Sequence, residues 1–259
     1  MNIYAKVVVH FAALLALTLA DCASANTLSI DYFTIATNDP DVNHLGGGTV
    51  NNEVQNVLGP HGLPILNTPA FGCASNCFSL TPFPSDVTAG GEITWWSPAL
   101  NSHVNHTGSA TVTLPFDVSS NFFPPNGTGA SDANGFQAAI LSGTLTVPST
   151  EVVSFSIGAD DSAFAYLDGQ VVCDLGGVHP VSAGSCVTPF NIGAGNHEIK
   201  VFFADLNAVQ SGLTFNVTTE GVSTNPVPEP RLVAILGAGL LVGVLWVRRK
   251  VHRHPDGIH

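Results

Sequence analysis

The chain has few charged residues, and those in its middle are almost all acidic. Charged residues make up 10% of the 259 residues, against about 25% in an ordinary soluble domain. Between residues 26 and 227, Lys200 is the only basic residue, and it stands against 11 Asp and 5 Glu. Such a surface repels phosphate backbones. The composition therefore excludes nucleic acid as a partner and favours divalent cations or neutral ligands.

The sequence also lacks the signatures of common hydrolases. Neither G-x-S-x-G nor H-E-x-x-H occurs, and these motifs mark α/β-hydrolases and zinc proteases. The acidic pair Asp160-Asp161 is consecutive, whereas the two carboxylates of a glycosidase face each other across a cleft. We therefore predict that the protein is not an enzyme. A secreted glycan-active enzyme is kept as the less favoured alternative.

Methionine is rare, whereas phenylalanine, glycine and proline are common. The chain has 1 Met and 15 Phe, and its 26 Gly and 17 Pro follow no period. The lack of a period excludes collagen and long coiled coils. The composition is typical of a loop-rich β protein.

The first 25 residues are organised like a secretory signal peptide. Lys6 precedes a largely apolar run over residues 7–19, and Ala23-Ser24-Ala25 follows. A basic start, a short apolar segment and an A-x-A site are typical of a signal that is removed after export. The apolar run is shorter than the roughly 20 residues of a membrane span. We predict a signal helix over 1–25 and a mature chain that begins at Asn26.

The C-terminal residues combine an extended motif, an apolar segment and a basic cluster. Val227-Pro228-Glu229-Pro230 lies in a predicted linker over 221–231. Residues 232–247 are apolar and predict a transmembrane helix about 24 Å long. Residues 248–259 form a tail that begins with Arg248-Arg249-Lys250, and this basic cluster favours a cytoplasmic end.

This arrangement resembles the PEP-CTERM sorting signal of Gram-negative bacteria. In that family the tail is recognised by exosortase, a membrane-embedded cysteine protease. The resemblance implies a precursor tethered to the inner membrane and cut near residues 228–230. The product would then be located at the cell surface or in the extracellular matrix. A permanent single-span anchor is the alternative.

Export also bears on the cysteines. Removal of Cys22 with the signal leaves Cys73, Cys77, Cys173 and Cys186, and an even number in an oxidising compartment favours disulfides. Three pairings are open, and the local one joins Cys73 to Cys77 and Cys173 to Cys186. A four-cysteine metal site is the alternative, but the spacings lack the C-x2-C pairs that such sites favour. We predict that the Cα atoms of Cys173 and Cys186 lie less than about 7 Å apart.

Residues 26–220 are predicted to form one all-β domain. Ile199, Val201 and Phe203 alternate with polar residues, which is the pattern of a half-buried strand. Asp168-Gly169 between two such segments is a strong hairpin signal. The predicted strands are 28–35, 92–96, 109–116, 137–147, 152–157, 163–167, 170–174, 197–204 and 212–217. We expect an antiparallel β-sandwich, with a helical turn within 51–58 and a tight turn over 174–179.

Several motifs, in order along this region, resemble the fibro-slime domain. They are Ile30-Asp31-Tyr32-Phe33, Asp39-Pro40-Asp41, Gly59-Pro60-His61-Gly62, Trp95-Trp96, Gly158-Ala159-Asp160-Asp161, Leu167-Asp168-Gly169, Asp174-Leu175-Gly176-Gly177 and Phe202-Phe203-Ala204-Asp205. That family belongs to the protective-antigen-type β-sandwich group, which includes carbohydrate-binding modules and adhesins. The resemblance implies that fold for about residues 29–219. It also implies association with carbohydrate.

Asp160 and Asp161 are the candidate ligands of a calcium ion. Calcium prefers oxygen ligands, and carboxylates close in sequence are a common source of them. A cis peptide bond would turn both carboxylates to one side. The resemblance implies that such a cis pair holds calcium, which then binds sugar hydroxyls. Asp205 and Asn207, after the predicted strand 197–204, complete the predicted set. The alternative is that the two acids only make hydrogen bonds within a turn.

Trp95 and Trp96 are adjacent, so we expect one to face the core and the other the surface. An exposed Trp96 beside acidic loops would let a sugar stack on its ring, and two aromatic residues of a strand are the alternative. Together the patterns predict an exported, non-catalytic surface or matrix protein associated with carbohydrate or exopolysaccharide. A purely structural surface protein without a ligand is the second interpretation.

Overall fold

The computed structural model describes residues 26–42, 48–50, 52–67, 87–126, 131–181, 184–188 and 190–227. These residues form fourteen strands and a short 3₁₀ turn at Asp132–Asn134. The strands are β1 (Thr27–Ile35), β2 (Gly48–Val50), β3 (Val54–Leu58), β4 (Pro64–Leu66), β5 (Val104–Thr113), β6 (Phe116–Val118), β7 (Phe136–Val147), β8 (Ser154–Asp160), β9 (Ser162–Leu167), β10 (Gln170–Val178), β11 (Gly184–Val187), β12 (Gly195–Ala204), β13 (Gly212–Val217) and β14 (Ser223–Pro226).

The strands form two antiparallel sheets. The larger sheet has the order β4-β3-β10-β9-β12-β7-β1-β5, with β14 paired to β7 and β2 paired to β10. The smaller sheet has the order β11-β8-β13-β6. The prediction of an all-β antiparallel fold is therefore confirmed. Strand β13 covers the predicted range 212–217, and most other predicted strands are found with ends shifted by a few residues.

Alternation along β12 explains how the two faces of the larger sheet are used. Val201 and Phe203 point into a core shared with the smaller sheet, where Phe155 and Phe215 stack with ring centroids 6.0 Å apart. Phe202, between them, belongs to a second cluster on the opposite face. Because successive side chains of a strand point to opposite faces, β12 is buried on both sides.

The second cluster is covered by the long excursion between β1 and β5. Val54, Leu63 and Ile93 come from that excursion, whereas Phe164 and Tyr166 come from the sheet. From the sequence we predicted only a helical turn within 51–58 and a strand over 92–96 in this excursion. The structure shows that the excursion covers a second apolar layer, so the larger sheet lies between two hydrophobic cores.

Both tryptophans lie in this second layer, and the expectation that one faces solvent is wrong. Trp95 is 0% exposed and Trp96 is 3% exposed. The Trp96 indole donates a hydrogen bond to the carbonyl of Phe203 at 2.7 Å, and the Trp95 indole donates to the Asp41 carboxylate at 3.1 Å. Each ring has a polar partner inside the layer, so Trp96 offers no exposed face on which a sugar could stack.

Three local predictions differ from the structure. Residues 92–96 make only bridges at Glu92 and Ile93 and then turn. The predicted helical turn within 51–58 is the strand Val54–Leu58, and the predicted tight turn over 174–179 is the second half of β10. In both cases the partner strand comes from far along the chain, since β10 pairs with β2 and β3.

A disulfide between Cys173 and Cys186 joins β10 of the larger sheet to β11 of the smaller one. The two Cα atoms are 5.5 Å apart, which confirms this pairing. Cys73 and Cys77 lie outside the described residues.

The predicted linker over 221–231 is partly structured. Residues Ser223–Pro226 form β14, which pairs with β7 from Ser223 opposite Thr146 to Pro226 opposite Gly143. Residues 1–25 and 228–259, with the predicted signal peptide, Pro-Glu-Pro motif and basic tail, lie outside the described residues. The described part of the chain contains no helix with the length and hydrophobicity of a transmembrane segment.

Candidate functional site

The Asp160-Asp161 pair lies where the chain passes from the smaller sheet to the larger one. Asp160 is the last residue of β8, and Ser162 is the first residue of β9. The peptide bond between the two aspartates is cis. Asp160 is opposite Gly212 in the smaller sheet, and Ser162 is opposite Ala204 in the larger one. The pair is therefore fixed at one end of the sandwich.

A cleft of about 270 Å³ opens at this end. Its walls come from the pair, from the end of β10 and the residues after it, and from the loop that follows β12. The lining residues are Asp160, Asp161, Val178, His179, Pro180, Asn207, Ala208, Val209 and Gln210. Strand pairing brings these segments together because β9 lies between β10 and β12.

Asp161 is held by backbone amides on both sides of the cleft. Its Oδ1 atom accepts from the amide of His179 at 3.1 Å, and its Oδ2 atom accepts from the amide of Leu206 at 2.8 Å. The residue is 1% exposed. Burial and the charge of Asp160 together raise the pKa of Asp161 to about 7, although the two amide hydrogen bonds favour the carboxylate.

Asp160 is also mostly buried, at 7% exposure. Burial raises the pKa of its carboxyl group, against the lowering effects of a hydrogen bond with Asp161 and of the nearby His179. His179 lines the same cleft, and its Nδ1 atom lies 3.2 Å from the Pro180 carbonyl. The Nε2 atom of His179 is buried without a hydrogen-bond partner.

Asp205 lies behind the cleft and does not line it. It is 0% exposed, its Oδ1 atom accepts from the amide of Asn207 at 3.4 Å, and its Oδ2 atom is buried without a hydrogen-bond partner. Burial, together with the charges of Asp132 and Asp161, raises its pKa well above the ordinary value. Of the predicted set, Asp160, Asp161 and Asn207 meet at the cleft, and Asp205 supports the loop that carries Asn207.

Asp132 belongs to the same end of the molecule, and sequence reasoning missed it. It is 9% exposed in the 3₁₀ turn before β7. Its Oδ2 atom accepts from the amide of Val209, a lining residue 77 positions away, at 3.2 Å. Burial raises the pKa of Asp132. No local pattern marks this residue, because the contact exists only through the pairing of β7 with β12.

The cleft has four neighbouring carboxyl groups and no Lys or Arg of the described chain beside them. Lys200 instead pairs with Glu198 at 3.0 Å along β12. Within the described residues, no group of three or more His, Cys, Asp or Glu side chains converges on a point suited to a metal ion. A cation at this cleft would therefore draw on the two aspartates, the Asn207 amide oxygen and backbone carbonyls.

One protein-family model matches a part of the chain. Residues 125–230 match the model of the PA14 domain, and this stretch contains β7 to β14 with the whole cleft. No curated protein sequence matches the chain.

The solved structures that match the chain are distant from it in sequence. A PA14 sugar-binding domain from an RTX adhesin is 14% identical over 78% of this chain and 96% of that one, with a TM-score of 0.39. An anti-sigma factor domain-containing protein is 17% identical over 47% of this chain, with a TM-score of 0.35. A β-glucosidase from Kluyveromyces marxianus, solved with glucose, is 13% identical over 44% of this chain, with a TM-score of 0.32. The chain spans only 44% of the anti-sigma factor protein and 14% of the β-glucosidase.

Proposed function

We propose that a PA14-type domain gives this chain the function of a non-catalytic, exported surface protein that binds carbohydrate with the help of calcium. The observation that carries the proposal is the cleft in which Asp160, Asp161 and Asn207 meet. The match of residues 125–230 to the PA14 domain supports a carbohydrate-associated role.

The residues at the cleft suit calcium. Calcium prefers six to eight oxygen ligands, and two carboxylates, one amide oxygen and the loop carbonyls are of that kind. Asp161 accepts two amide hydrogen bonds, so one of the carboxylate ligands is already held in place before any cation binds. Each of its oxygens keeps a further lone pair for a ligand. When bound, calcium would supply coordination to a pair of sugar hydroxyls.

The charge of the cleft supports a cation for a second reason. Burial raises the pKa of both aspartates, and the charge of Asp160 raises that of Asp161 further. A divalent cation at the two carboxylates would offset their repulsion, and Lys200, the one Lys among the described residues, pairs with Glu198 instead. Cation binding at this cleft is therefore expected to release a proton near neutral pH.

The size of the cleft limits the ligand. A volume of about 270 Å³ lies below the roughly 300–1,000 Å³ typical of pockets for drug-sized molecules. We therefore expect the cleft to take one terminal sugar ring of a glycan or exopolysaccharide. The argument against a glycosidase also applies, since the two carboxylates of the cleft belong to consecutive residues, whereas those of a glycosidase flank the scissile bond from two sides.

The location is part of the same proposal. We infer that residues 1–25 direct export, that exosortase or a related sorting protease recognises the Pro228-Glu229-Pro230 segment, and that the apolar residues 232–247 tether the precursor to the membrane. The folded domain reaches Pro226, and Val227 is 47% exposed. The cut would therefore fall just beyond the last strand.

Thermal melting with calcium tests the site. Calcium at about 100 times its Kd should stabilise the wild type by about 2.7 kcal/mol, which for a domain of this size corresponds to a Tm increase of about 5–10 °C. Asp160→Asn and Asp161→Asn should lose most of that shift. The control is Glu220→Gln, which removes a charge from an exposed turn at the other end of the sandwich and should keep it.

A glycan array, read with calcium and with chelator, tests the ligand. Binding of terminal sugars that disappears in chelator and in Asp161→Asn supports the proposal. If calcium leaves the wild-type Tm unchanged, or shifts Asp161→Asn equally, the domain is a structural one without this site. Release of reducing sugar from an exopolysaccharide would instead identify an enzyme.

A further inference from the structure

The 3₁₀ turn before β7 is fixed from several directions. Ser131 caps it through a side-chain oxygen that accepts from the Ala133 amide at 3.4 Å, and the Gly135 amide donates to the Asp132 carbonyl at 2.9 Å. Gly135 has φ 117°, and an added Cβ atom would lie 2.7 Å from the Ile35 carbonyl oxygen of β1. The turn is thus seated directly against β1, which makes it a rigid support.

The loop that it supports has an unfavourable local conformation. Val209 has φ 132° and is 85% exposed. A β-branched residue rarely adopts positive φ, and this side chain gains almost no burial in return. Contacts outside the loop must therefore hold it in place. The hydrogen bond from the Val209 amide to the Asp132 carboxylate, at 3.2 Å, is such a contact.

We propose that Asp132 is a positioning residue of the cleft, whose carboxylate holds the loop 207–210 in the shape that lines it. Val209, whose amide donates to Asp132, lies between Ala208 and Gln210, and all three residues line the cleft. Asn207 begins the same loop, and its own amide is held by Asp205. Two carboxylates from outside the loop therefore fix two of its four amides.

The proposal rests on the proposed function where it concerns ligand affinity, but the contact itself can be tested without a ligand. Hydrogen exchange of the loop amides is measured in wild type, Asp132→Ala and Asp132→Asn. Loss of a hydrogen bond to a charged group should speed exchange at Val209 on the order of tenfold in Asp132→Ala. Asp132→Asn keeps an acceptor oxygen at the same place and should exchange nearly as slowly as wild type.

Calcium and glycan affinity provide the second measurement. Asp132→Ala should bind both about tenfold more weakly, and Asp132→Asn should restore most of the affinity, because the role is a contact rather than a charge. A purely structural role would lower Tm in Asp132→Ala while the folded fraction kept wild-type affinity and slow exchange at Val209. That result overturns the proposal, and so does an Asp132→Asn variant as impaired as Asp132→Ala.

The two proposals fail in different ways. If wild type binds neither calcium nor sugar, the proposed function is wrong, and the exchange data still decide whether Asp132 holds the loop. If wild type binds and Asp132→Ala binds equally well, the site stands and the positioning role is wrong. Should Asp132→Ala fail to fold, Asp132→Asn still decides: unchanged exchange and affinity support the contact, and a loss of both contradicts it.

Discussion

At the scale of single residues, the most unusual group outside the cleft is the carboxyl of Glu53. It is 3% exposed, on the excursion between β1 and β5, where that segment packs against Gly176 of the larger sheet. Gly176 allows it to approach, since a Cβ atom there would lie 2.0 Å from Glu53 Oε2. Burial, followed by the charges of Asp174 and Asp41, raises the pKa of Glu53 to about 8, against the lowering effect of the Gly177 amide. Burial likewise raises the pKa of Asp174 to about 6.

These raised values predict that stability falls as pH rises. Between the ordinary pKa of a glutamate, about 4.5, and about 8, the folded protein keeps a proton on Glu53 that the unfolded chain has lost. One such proton gives a slope of about 1.4 kcal/mol per pH unit. Glu53→Gln should therefore gain stability relative to wild type from pH 5 to pH 8. Urea unfolding in chelator across that range measures the effect, with Glu220→Gln as control, and parallel curves for wild type and Glu53→Gln would contradict it.

At the residue scale, local signals allowed three residues to be placed at the same cleft, whereas their role as calcium ligands stays a prediction. Asp160 and Asp161 are adjacent, and Asn207 follows a strand whose alternation is clear, so their meeting could be predicted. Asp132 could not, because its partner is 77 residues away. Trp96 was placed wrongly because residues 92–96 were predicted as a strand, in which adjacent side chains point to opposite faces. In the structure the chain turns at Trp95 and Trp96, and both indoles are buried.

At the scale of elements, β7 is a central strand that pairs with three other strands of the larger sheet. It pairs with β12 on one side and with β1 and then β14 on the other. Alternation identified β7 and β12 directly. It did not identify β14, whose four residues include Asn225 and Pro226, because those residues are typical of a linker. A proline is compatible with this strand because Pro226 is its last residue and, among the described strands, β14 pairs with β7 alone.

Gly143 of β7 permits the close approach of β14. An added Cβ atom would lie 2.5 Å from the Asn225 carbonyl oxygen and 2.6 Å from Leu28 Cδ2. Gly143→Ala should therefore destabilise the domain by about 1–3 kcal/mol and speed hydrogen exchange across β14. Gly193→Ala, where nothing lies within 4 Å of the added atom, should change the free energy of unfolding by less than about 0.5 kcal/mol. Equal effects at the two positions would rule out this role for Gly143.

At the scale of the whole molecule, the two sheets are joined covalently as well as by their shared core. The Cys173–Cys186 disulfide closes a short segment, with a sequence separation of 13. A loop of about this length predicts a loss of about 3 kcal/mol when the bond is removed. The double variant Cys173→Ala, Cys186→Ala should show this in urea unfolding of the isolated domain. Wild type treated with reductant should match the variant; a variant as stable as oxidised wild type contradicts the expectation.

The whole fold was predictable only in its class. Composition and alternation indicate antiparallel strands in two layers. Composition and alternation could not predict the third layer, which residues 36–103 form on the larger sheet. Its short strands β2 and β3 pair with the distant strand β10. Strands β2 and β3, in a region whose composition is typical of loops, thus pair with β10 more than a hundred positions later in the chain.

The neighbours of β7 also determine when the protein can fold. Ser29 of β1 lies opposite Ser142, and the Thr224 amide donates to the Asn26 side chain across 198 positions. Both the earliest and the latest residues of the domain therefore border the same strand. Chains rich in such distant contacts fold slowly, in milliseconds to seconds. Until residues near 226 have been synthesised, one flank of β7 stays incomplete, so the larger sheet is completed only after the last strand of the domain is available.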